Sequence, residues 1–214
     1  MNEERFASAV AGQVLAAAGA RAALLQSITD VARAIFLAEA ASIAVLEPGT
    51  RRFRFEAVAG QGSDRLLGLT FPFGEGIAGT VAQTGEAMVV DDLTKDPRFA
   101  RDVAEESGYV PKAIMVAPLL GEEDTLGVLS VLDRGRSGRT TMQELELLDA
   151  FAAQAALAVQ LGEGAERAAG LLRDSAEDDV GRIARLALQV DSLSGPRREA
   201  ASRLLDALAD LIAD

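Results

Sequence analysis

The spacing of the hydrophobic positions changes along the chain, and these changes divide it into helices and strands. From about Arg21 to Ala40 apolar side chains recur every three or four residues, which predicts a helix with one buried stripe. Residues 5–19 before it are rich in alanine and predict a lead-in helix. Residues 42–58 read as two apolar or alternating segments on either side of the turn signal EPGT at 47–50, which predicts an antiparallel hairpin with one solvent-facing side.

Three further apolar segments predict strands at residues 87–91, 112–120 and 125–133. The last two are joined only by residues 121–124 (GEED). A parallel pair of strands needs a crossover of a dozen or more residues, so these two strands must pair in the antiparallel direction. The pattern therefore indicates an antiparallel sheet.

The rest of the chain is predicted to be helical. Thr141 and Glu144 have the spacing of a capping box, so a helix should begin at Thr141. Beyond it, apolar residues from Ala165 to Leu193 form a heptad-like seam, and the sequence SLSGP at 192–196 separates this helix from a last one. The chain thus ends in a helical hairpin.

These elements predict an α+β protein in three parts: a lead-in helix at 1–20, a domain at 21–161 and a helical hairpin at 162–214. Alanine occupies about half of the seam positions in the hairpin. Such a hairpin buries little apolar area alone and gains stability by pairing with a second copy. We therefore expect a homodimer that forms through its N- and C-terminal helices.

Composition narrows the function. Asp and Glu number 33 against 21 Lys and Arg, and the resulting net charge of −12 disfavours direct binding to nucleic acid. The chain has no cysteine and no histidine, which removes most zinc sites, histidine-ligated haem and the common nucleophilic triads. We expect no enzymatic activity. No sustained apolar run opens the chain, so we expect neither a signal peptide nor a membrane span, and a cytoplasmic location.

One short motif suggests a nucleotide site. Residues 74–79 (GEGIAG) match G-x-G-x-x-G, and Asp91 and Asp92 follow at about the distance of a ribose-binding acid. However, Pro72 interrupts the segment before the glycines, and Thr84–Gly85 is a helix stop signal within about two turns. A dinucleotide site needs a buried parallel strand before the motif and a long helix after it, so the context argues against one.

The longer string FPFGEGIAGTVAQTGEAMVVDDLTKDPRF, residues 71–99, resembles the GAF family of sensory domains. The segments at 112–120 (KAIMVAPLL), 125–133 (TLGVLSVLD) and 142–160 (MQELELLDAFAAQAALAVQ) keep the family's order, so the resemblance covers about residues 21–161. It implies a six-stranded antiparallel sheet with helices on both faces. It also implies a ligand cleft between one face and the loops after the glycine turn.

The resemblance also implies which residues face the cleft. The matching positions are Phe73, Asp92, Phe99, Tyr109, Ala113, Met115 and Leu129. A filled core is favoured over a ligand role for the apolar residues Phe73, Phe99 and Met115, and a turn cap is favoured for Asp92. Tyr109 equally fits a loop residue packed on a strand. No metal site is predicted, because Asp91, Asp92 and Asp96 lack the full set of oxygen ligands that calcium requires.

Several positions depart from family members of known chemistry. Members that attach a bilin use Cys or a His-containing pocket, and members that reduce free methionine sulfoxide use Cys; both residue types are absent here. Cyclic-nucleotide members carry Asn-Lys followed by Asp-Glu, where this chain has Asp133–Arg134 and Gln143–Glu144. Ala113 stands where relatives often have serine. The sequence identifies no cofactor, and it argues against covalent bilin and histidine-ligated haem.

Together these observations predict a non-enzymatic sensory or regulatory protein. It would bind a small molecule or a signalling protein in the cleft and transmit the change through the flanking helices of a homodimer. The alternative is a ligand-free scaffold that mediates dimerisation and protein–protein interaction.

Overall fold

The computed structural model describes residues 2–101, 104–105, 108–122, 124–135 and 138–174 of the 214-residue chain. Ala18–Gly162 form one compact unit. The two ends of the chain, Met1–Ala17 and Glu163–Asp214, form a second unit, whose described residues are helical.

The first unit is built on one six-stranded sheet in which every neighbouring pair is antiparallel. The strand order is β3-β2-β1-β6-β5-β4. The strands are β1 Ala40–Glu47, β2 Arg52–Gly60, β3 Thr70–Pro72, β4 Met88–Val90, β5 Ile114–Leu120 and β6 Thr125–Leu132. This topology confirms the predicted antiparallel sheet and is incompatible with a dinucleotide-binding crossover. The hydrophobic pattern did not mark β3, because it has three residues and ends at a proline on the sheet edge.

Helices cover both faces of the sheet, as predicted. The α-helices are α1 Asn2–Ile35, α2 Ser63–Leu66, α3 Gly76–Thr84 and α4 Thr141–Asp174, and Leu93–Lys95 form a 3₁₀ turn. Side chains of α1 and α4 pack on one face, and those of α3 and the 3₁₀ turn pack on the other. The two faces therefore carry separate hydrophobic clusters.

The N-terminal helix differs from its prediction in two ways. Where the sequence predicted two helices meeting near residue 20, α1 is continuous through Gly19, because no proline or capping signal interrupts it. It ends at Ile35 rather than Ala40. Leu37 adopts a left-handed φ of 51°, and the Ala38 N–H donates to the Arg33 carbonyl, which closes the helix and turns the chain into β1.

The start of α4 is also shifted from the predicted cap. Gln143 Oε1 accepts from the Thr140 N–H at 3.0 Å, and the Gln143 N–H donates to Thr140 Oγ1 at 3.4 Å. The reciprocal cap is thus Thr140 with Gln143, one residue before the predicted pair of Thr141 with Glu144. The shift leaves the Glu144 side chain available for another partner.

The structure describes α4 as far as Asp174, so the predicted hairpin lies mostly outside the described residues. The seam residues from Ala165 onward also lie outside those whose side chains are described. Within the described part, Thr141–Gly164 is long and apolar enough to cross a membrane by length and composition alone. Its Leu148, Ala152 and Val159 are buried in the cluster beneath the sheet, which is typical of the core helix of a folded domain.

A bulge in β2 decides which side chains face each layer. Ile43 pairs with Ala57 and Ala44 pairs with Phe55, so Glu56 is an extra residue on the β2 side. Before it, Phe53 and Phe55 belong to the α3 side, and after it Ala57 belongs to the cluster under α1 and α4.

The bulged residue itself points to α1. Arg21 Nη2 donates to Glu56 Oε2 at 2.6 Å, and both side chains are mostly buried. A Cβ on Gly162 would lie 2.4 Å from Arg21 Cδ, so the glycine leaves room for this arginine beside α4. The Arg21–Glu56 pair therefore ties α1 to the bulge of β2.

Candidate functional site

The glycine motif forms a tight turn from β3 into α3. Gly74 and Gly76 have backbone φ angles of 86° and 72°, which residues with a side chain rarely adopt. Gly79 lies in the first turns of α3, and a Cβ there would come within 2.8 Å of three backbone atoms of Gly74. The three glycines are thus explained by backbone packing of the turn against its own helix. Glu75 occupies the N-cap position of α3.

Between this turn and the sheet lies a cavity of about 120 Å³. Its floor is the α3-side face of β1 and β6, and its walls come from α3, β2, β5 and residues 99, 100, 104, 109 and 111. The lining is almost entirely apolar. Representative lining residues are Ala44, Phe71, Ile77, Phe99, Ile114 and Val128.

Five polar side chains contribute to the lining. Ser42 on β1 and Ser130 on β6 lie in the floor and are 5% and 7% exposed. Gln61 and Glu75 are exposed residues of the lining and form its solvent-facing rim. Tyr109 belongs to the wall. Within the described part of the chain no lysine or arginine lines the cavity.

Tyr109 is held by an aspartate at the end of β6. The Tyr109 hydroxyl donates to the carboxylate of Asp133, whose other oxygen accepts from the backbone N–H groups of Lys112 and Ala113 at 2.9 and 2.8 Å. Asp133 has a left-handed φ of 49°, a conformation that aspartate tolerates better than most residues. Burial, reinforced by the hydrogen bond to Asp133, raises the pKa of Tyr109 well above its ordinary value.

Arg134, the residue after Asp133, connects the end of β6 to α4. Arg134 Nε donates to Glu144 Oε2 at 2.9 Å, and Arg134 Nη2 donates to Asp91 Oδ1 at 3.0 Å. The side chains of Arg134 and Glu144 are 15% and 7% exposed, so this pair is largely buried. Glu144 lies in the first turn of α4. A chain of contacts therefore runs from the cavity wall to the beginning of the long helix.

Two of the seven predicted site residues line the cavity, namely Phe99 and Tyr109. Phe73 is not among the residues that line the cavity. Its ring stacks on that of Phe53 with the two centroids 5.6 Å apart, and Arg51 Cζ lies over the Phe73 ring at 4.9 Å from its centroid. Ala113 contributes its backbone N–H to Asp133 rather than a side chain to the cavity.

Asp92 caps the 3₁₀ turn. Its carboxylate accepts from the Thr94 N–H at 3.2 Å and pairs with Lys95 Nζ at 2.6 Å. Lys95 first and Thr94 second lower the pKa of Asp92. This is the turn-cap role that the sequence left open beside the ligand role.

Met115 and Leu129 face away from the cavity, which corrects the expectation that they line the cleft. Both are fully buried in the cluster under α1 and α4. Successive side chains of a strand point to opposite faces, so their neighbours Ile114 and Val128 are the ones that reach the cavity. The prediction identified the right strands and missed the register by one residue.

Sequence reasoning missed the two floor serines altogether. Ser42 and Ser130 interrupt apolar strands, at positions that alternate with Ile43 and Leu129 of the opposite face. A polar residue within a buried strand face is the signal that could have marked them.

The three aspartates that the sequence places near one another do not share a common partner. Asp91, Asp92 and Asp96 pair separately with Arg134, Lys95 and Arg98, and the guanidinium of Arg98 lowers the pKa of Asp96 to about 2. Among the residues that the structure describes, no group of three or more acidic side chains could hold a metal ion. Arg134 pairs with two carboxylates, those of Asp91 and Glu144.

The sequence model of the GAF domain family matches this chain over residues 20–159. The match spans well over half of the chain and includes the glycine turn, the cavity and the first part of α4. The chain belongs to the GAF family. The resemblance seen in the sequence is thereby confirmed.

The relatives of this GAF domain include parts of larger enzymes. The "Probable 3',5'-cyclic phosphodiesterase pde-5" of Caenorhabditis elegans is 33% identical over 91 residues, which are 42% of this chain and 12% of that protein. The cGMP-specific 3',5'-cyclic phosphodiesterase of Drosophila melanogaster is 36% identical over 67 residues, which are 31% of this chain and 6% of that protein. The chain therefore spans only a small part of these relatives.

Solved structures share the fold at lower identity. The second GAF domain of DevS from Mycobacterium smegmatis has a TM-score of 0.54 and 22% identity, and the match covers 69% of this chain and 98% of that one. Free methionine-R-sulfoxide reductase from Neisseria meningitidis, solved with its substrate, has a TM-score of 0.56 and 18% identity over 74% of this chain and 86% of that one. At these identities the similarity establishes the GAF fold and no more.

Proposed function

We propose that this GAF-domain protein is a non-enzymatic sensor or regulator that binds a small molecule in the cavity above β1 and β6. Binding would be transmitted through the flanking helices of a homodimer. The observation that carries the proposal is the continuous set of contacts from the cavity wall to α4. GAF domains generally serve sensing and ligand binding, which supports the same reading.

The contacts suggest how the cavity would influence α4. Tyr109 lines the cavity and donates to Asp133, and the next residue, Arg134, holds Glu144 in the first turn of α4. A ligand that pushes Tyr109 outward would weaken its bond to Asp133 and change the position of Arg134. The ligand then favours one placement of α4 over another through its different affinity for the two arrangements.

The side chains in the cavity support a binding role rather than catalysis. Among its described lining residues the ionisable side chains are Glu75 at the rim and Tyr109. The raised pKa of Tyr109 keeps its hydroxyl protonated at neutral pH, so it is a poor general base. The absence of Cys and His from the sequence removes the strongest nucleophiles and proton carriers. The phosphodiesterase activity named for the relatives belongs to proteins of which this chain matches 12% or less.

A coupled measurement tests this function. Protein purified from cells is screened against a broad metabolite set by thermal shift, and a binder should raise the melting temperature by mass action. Hydrogen exchange of the first turn of α4 is then compared with and without that binder, in the wild type and in Tyr109→Phe. Phenylalanine keeps the ring in the wall and removes the hydroxyl that bonds Asp133. We expect the variant to retain the thermal shift and to lose most of the change in exchange. An unaltered exchange response in Tyr109→Phe would refute this route of transmission.

A second candidate function is the ligand-free scaffold. It is favoured by large apolar side chains left exposed on both long helices. On α1, Leu24 is 47% and Val31 is 44% exposed, and on α4 Leu157 and Leu161 are 56% and 65% exposed. Association with a second copy would cover such side chains. No thermal shift across the whole metabolite set, together with a stable dimer, would favour the scaffold.

The proposal also includes a cytoplasmic location and no direct contact with nucleic acid or membrane. The net charge of −12 repels phosphate backbones and anionic lipid surfaces. Retention of the purified protein on heparin or on vesicles that contain phosphatidylserine, at physiological salt, would contradict this part.

A further inference from the structure

Two serine hydroxyls lie side by side in the floor of the cavity. Ser42 of β1 and Ser130 of β6 are directly paired across the two strands, and each is more than nine-tenths buried. In the part of the chain that the structure describes, neither hydroxyl has a protein hydrogen-bond partner, and neither oxygen is sealed from solvent, since Arg21 Nε is the one sealed, unpartnered side-chain atom there. Both hydroxyls are therefore open to the cavity, where a polar ligand group can take the place of water.

Packing gives no reason for serine at these two positions. Their neighbours along the same strand face are apolar: Ala40 and Ala44 flank Ser42, and Val128 and Leu132 flank Ser130. Alanine would fill the same floor without a polar atom. Each hydroxyl can both donate and accept, so the pair suits a ligand group that carries a donor next to an acceptor.

The charges around the cavity select against an anion. Its described lining contains no lysine or arginine, and Glu75 adds a carboxylate at the rim. The N-terminus of α3 offers the equivalent of about half a positive charge. Glu75 is the N-cap residue of that same helix, so its full negative charge outweighs this contribution. A neutral ligand avoids the conflict.

The volume limits the size of the ligand. A cavity of roughly 150 Å³ lined by apolar side chains binds benzene, whereas drug-sized ligands occupy about 300–1,000 Å³. The present cavity, at about 120 Å³ with an opening at its rim, matches one ring and a small substituent. A nucleotide with its sugar and phosphate is much larger.

We propose that Ser42 and Ser130 form a neutral polar anchor, which selects an uncharged, single-ring ligand bearing an amide, hydroxyl or carbonyl group. This inference rests on the proposed ligand-binding function and adds the chemical class of the ligand. A cyclic nucleotide, which is larger and negatively charged, does not belong to this ligand class.

Three single-ring probes test the anchor: benzamide, its isostere benzoate, and the smaller apolar toluene. Benzamide presents a donor and an acceptor, benzoate has the same shape with a negative charge, and toluene has no hydrogen-bonding group. Binding is measured by calorimetry and by the melting temperature of the full chain. We expect benzamide to bind at least tenfold more tightly than benzoate and more tightly than toluene.

Matched variants locate the effect. In Ser42→Ala/Ser130→Ala the affinity for benzamide should fall about tenfold, to the level of toluene, while toluene binding is unchanged. The melting temperature of the unliganded variant should stay about the same, because the hydroxyls that are removed face the cavity and make no hydrogen bond within the described residues. Ala78→Leu, which fills the cavity from α3, should abolish binding of both benzamide and toluene.

The outcomes separate this inference from the proposed function. If the double alanine variant binds benzamide as well as the wild type does, or if benzoate binds as tightly as benzamide, the serine anchor is refuted. Loss of binding in Ala78→Leu would in that case still support a ligand cavity. If no probe binds the wild type, the assigned ligand class is wrong, whereas a hit in the metabolite screen would leave the sensory function intact.

Discussion

At the scale of single residues, the backbone explains the motif that most resembles a nucleotide site. Gly79 packs against the backbone of Gly74, so the G-x-G-x-x-G spacing serves the turn between β3 and α3. Asp133 holds the other side of the cavity. Its backbone is left-handed, and its carboxylate accepts hydrogen bonds from the Tyr109 hydroxyl and from two backbone N–H groups. Individual residues thus fix the two walls between which the cavity lies.

Gly79→Ala should lower the free energy of unfolding by about 2 kcal/mol or more, because the new methyl group would overlap the Gly74 backbone, which cannot rotate away. The control is Gly19→Ala, since Gly19 is also helical and a Cβ there meets nothing within 4 Å. It should leave stability unchanged or raise it by up to about 1 kcal/mol. Urea unfolding of both variants checks this, and equal effects of the two substitutions would contradict it.

Tyr109 allows a pH prediction with a single probe, because the chain has one tyrosine and no tryptophan. Its pKa in the folded protein is raised above the value of about 10 in an unfolded chain. The stability contribution is therefore fully present below pH ~10 and is lost as the pH rises further. Tyrosinate absorbance of the native protein should appear at higher pH than that of the protein in urea.

Asp133→Asn is the companion variant for this titration. It removes the negative charge beside the hydroxyl and keeps a residue that tolerates left-handed φ. The pKa of Tyr109 should then move part of the way down, because burial remains as its larger cause. Coincident native and denatured titrations in the wild type would show that the tyrosine is not held in this way.

At the scale of elements, the end of β6 contacts α4 at the first turn of that helix. Because the cap forms between Thr140 and Gln143, Glu144 is left to accept from Arg134. This buried pair joins the end of β6 to the start of a 34-residue helix. Under the proposed function, a shift at the β6 end would reach α4 through this charged contact.

Arg134→Met tests this junction. Removing the guanidinium takes one charged hydrogen-bond partner from the mostly buried Glu144 carboxylate, which should cost about 2 kcal/mol of unfolding free energy. Arg54→Met is the control, because Arg54 pairs with Glu47 at a site where the arginine side chain is 53% exposed. Its cost should stay within about 1 kcal/mol. Urea unfolding that finds the two costs equal would remove the junction from the proposed route.

At the scale of the whole molecule, the sheet separates two tasks. One face packs under α1 and α4 with a filled core that includes Met115, Leu129 and Leu148. The other face keeps the cavity beneath α3. The exposed leucines and valine of the long helices lie outside both clusters, and they form the surface to which we assign the proposed second copy.

The dimer is tested by light scattering at tens of micromolar. We expect the wild type to have twice the chain mass, and Leu157→Glu to shift it toward the monomer by placing a charge in the interface. Leu67→Glu is the matched control, since Leu67 is a leucine of similar exposure, 60% against 56%, outside the long helices. A monomeric wild type would refute transmission through a homodimer.

The sequence by itself determined five of the six strand segments, the antiparallel pairing of the strands and the GAF family. Alternation of apolar residues, short connections and an ordered set of motifs are local properties, and the chain carries them without reference to its fold. The family resemblance in the sequence also identified two residues of the cavity wall, Phe99 and Tyr109.

Only the tertiary structure decided which residues face that cavity. The family resemblance implies Met115 and Leu129 as cleft residues, and because their strands carry apolar residues on both faces, alternation cannot tell one face from the other. The bulge at Glu56, the cap at Thr140 and the pairing of Arg134 with Glu144 depend on partners far away in the chain. Ser42 and Ser130 acquire their meaning in the same way, because two isolated serines become a pair only when β1 and β6 lie side by side.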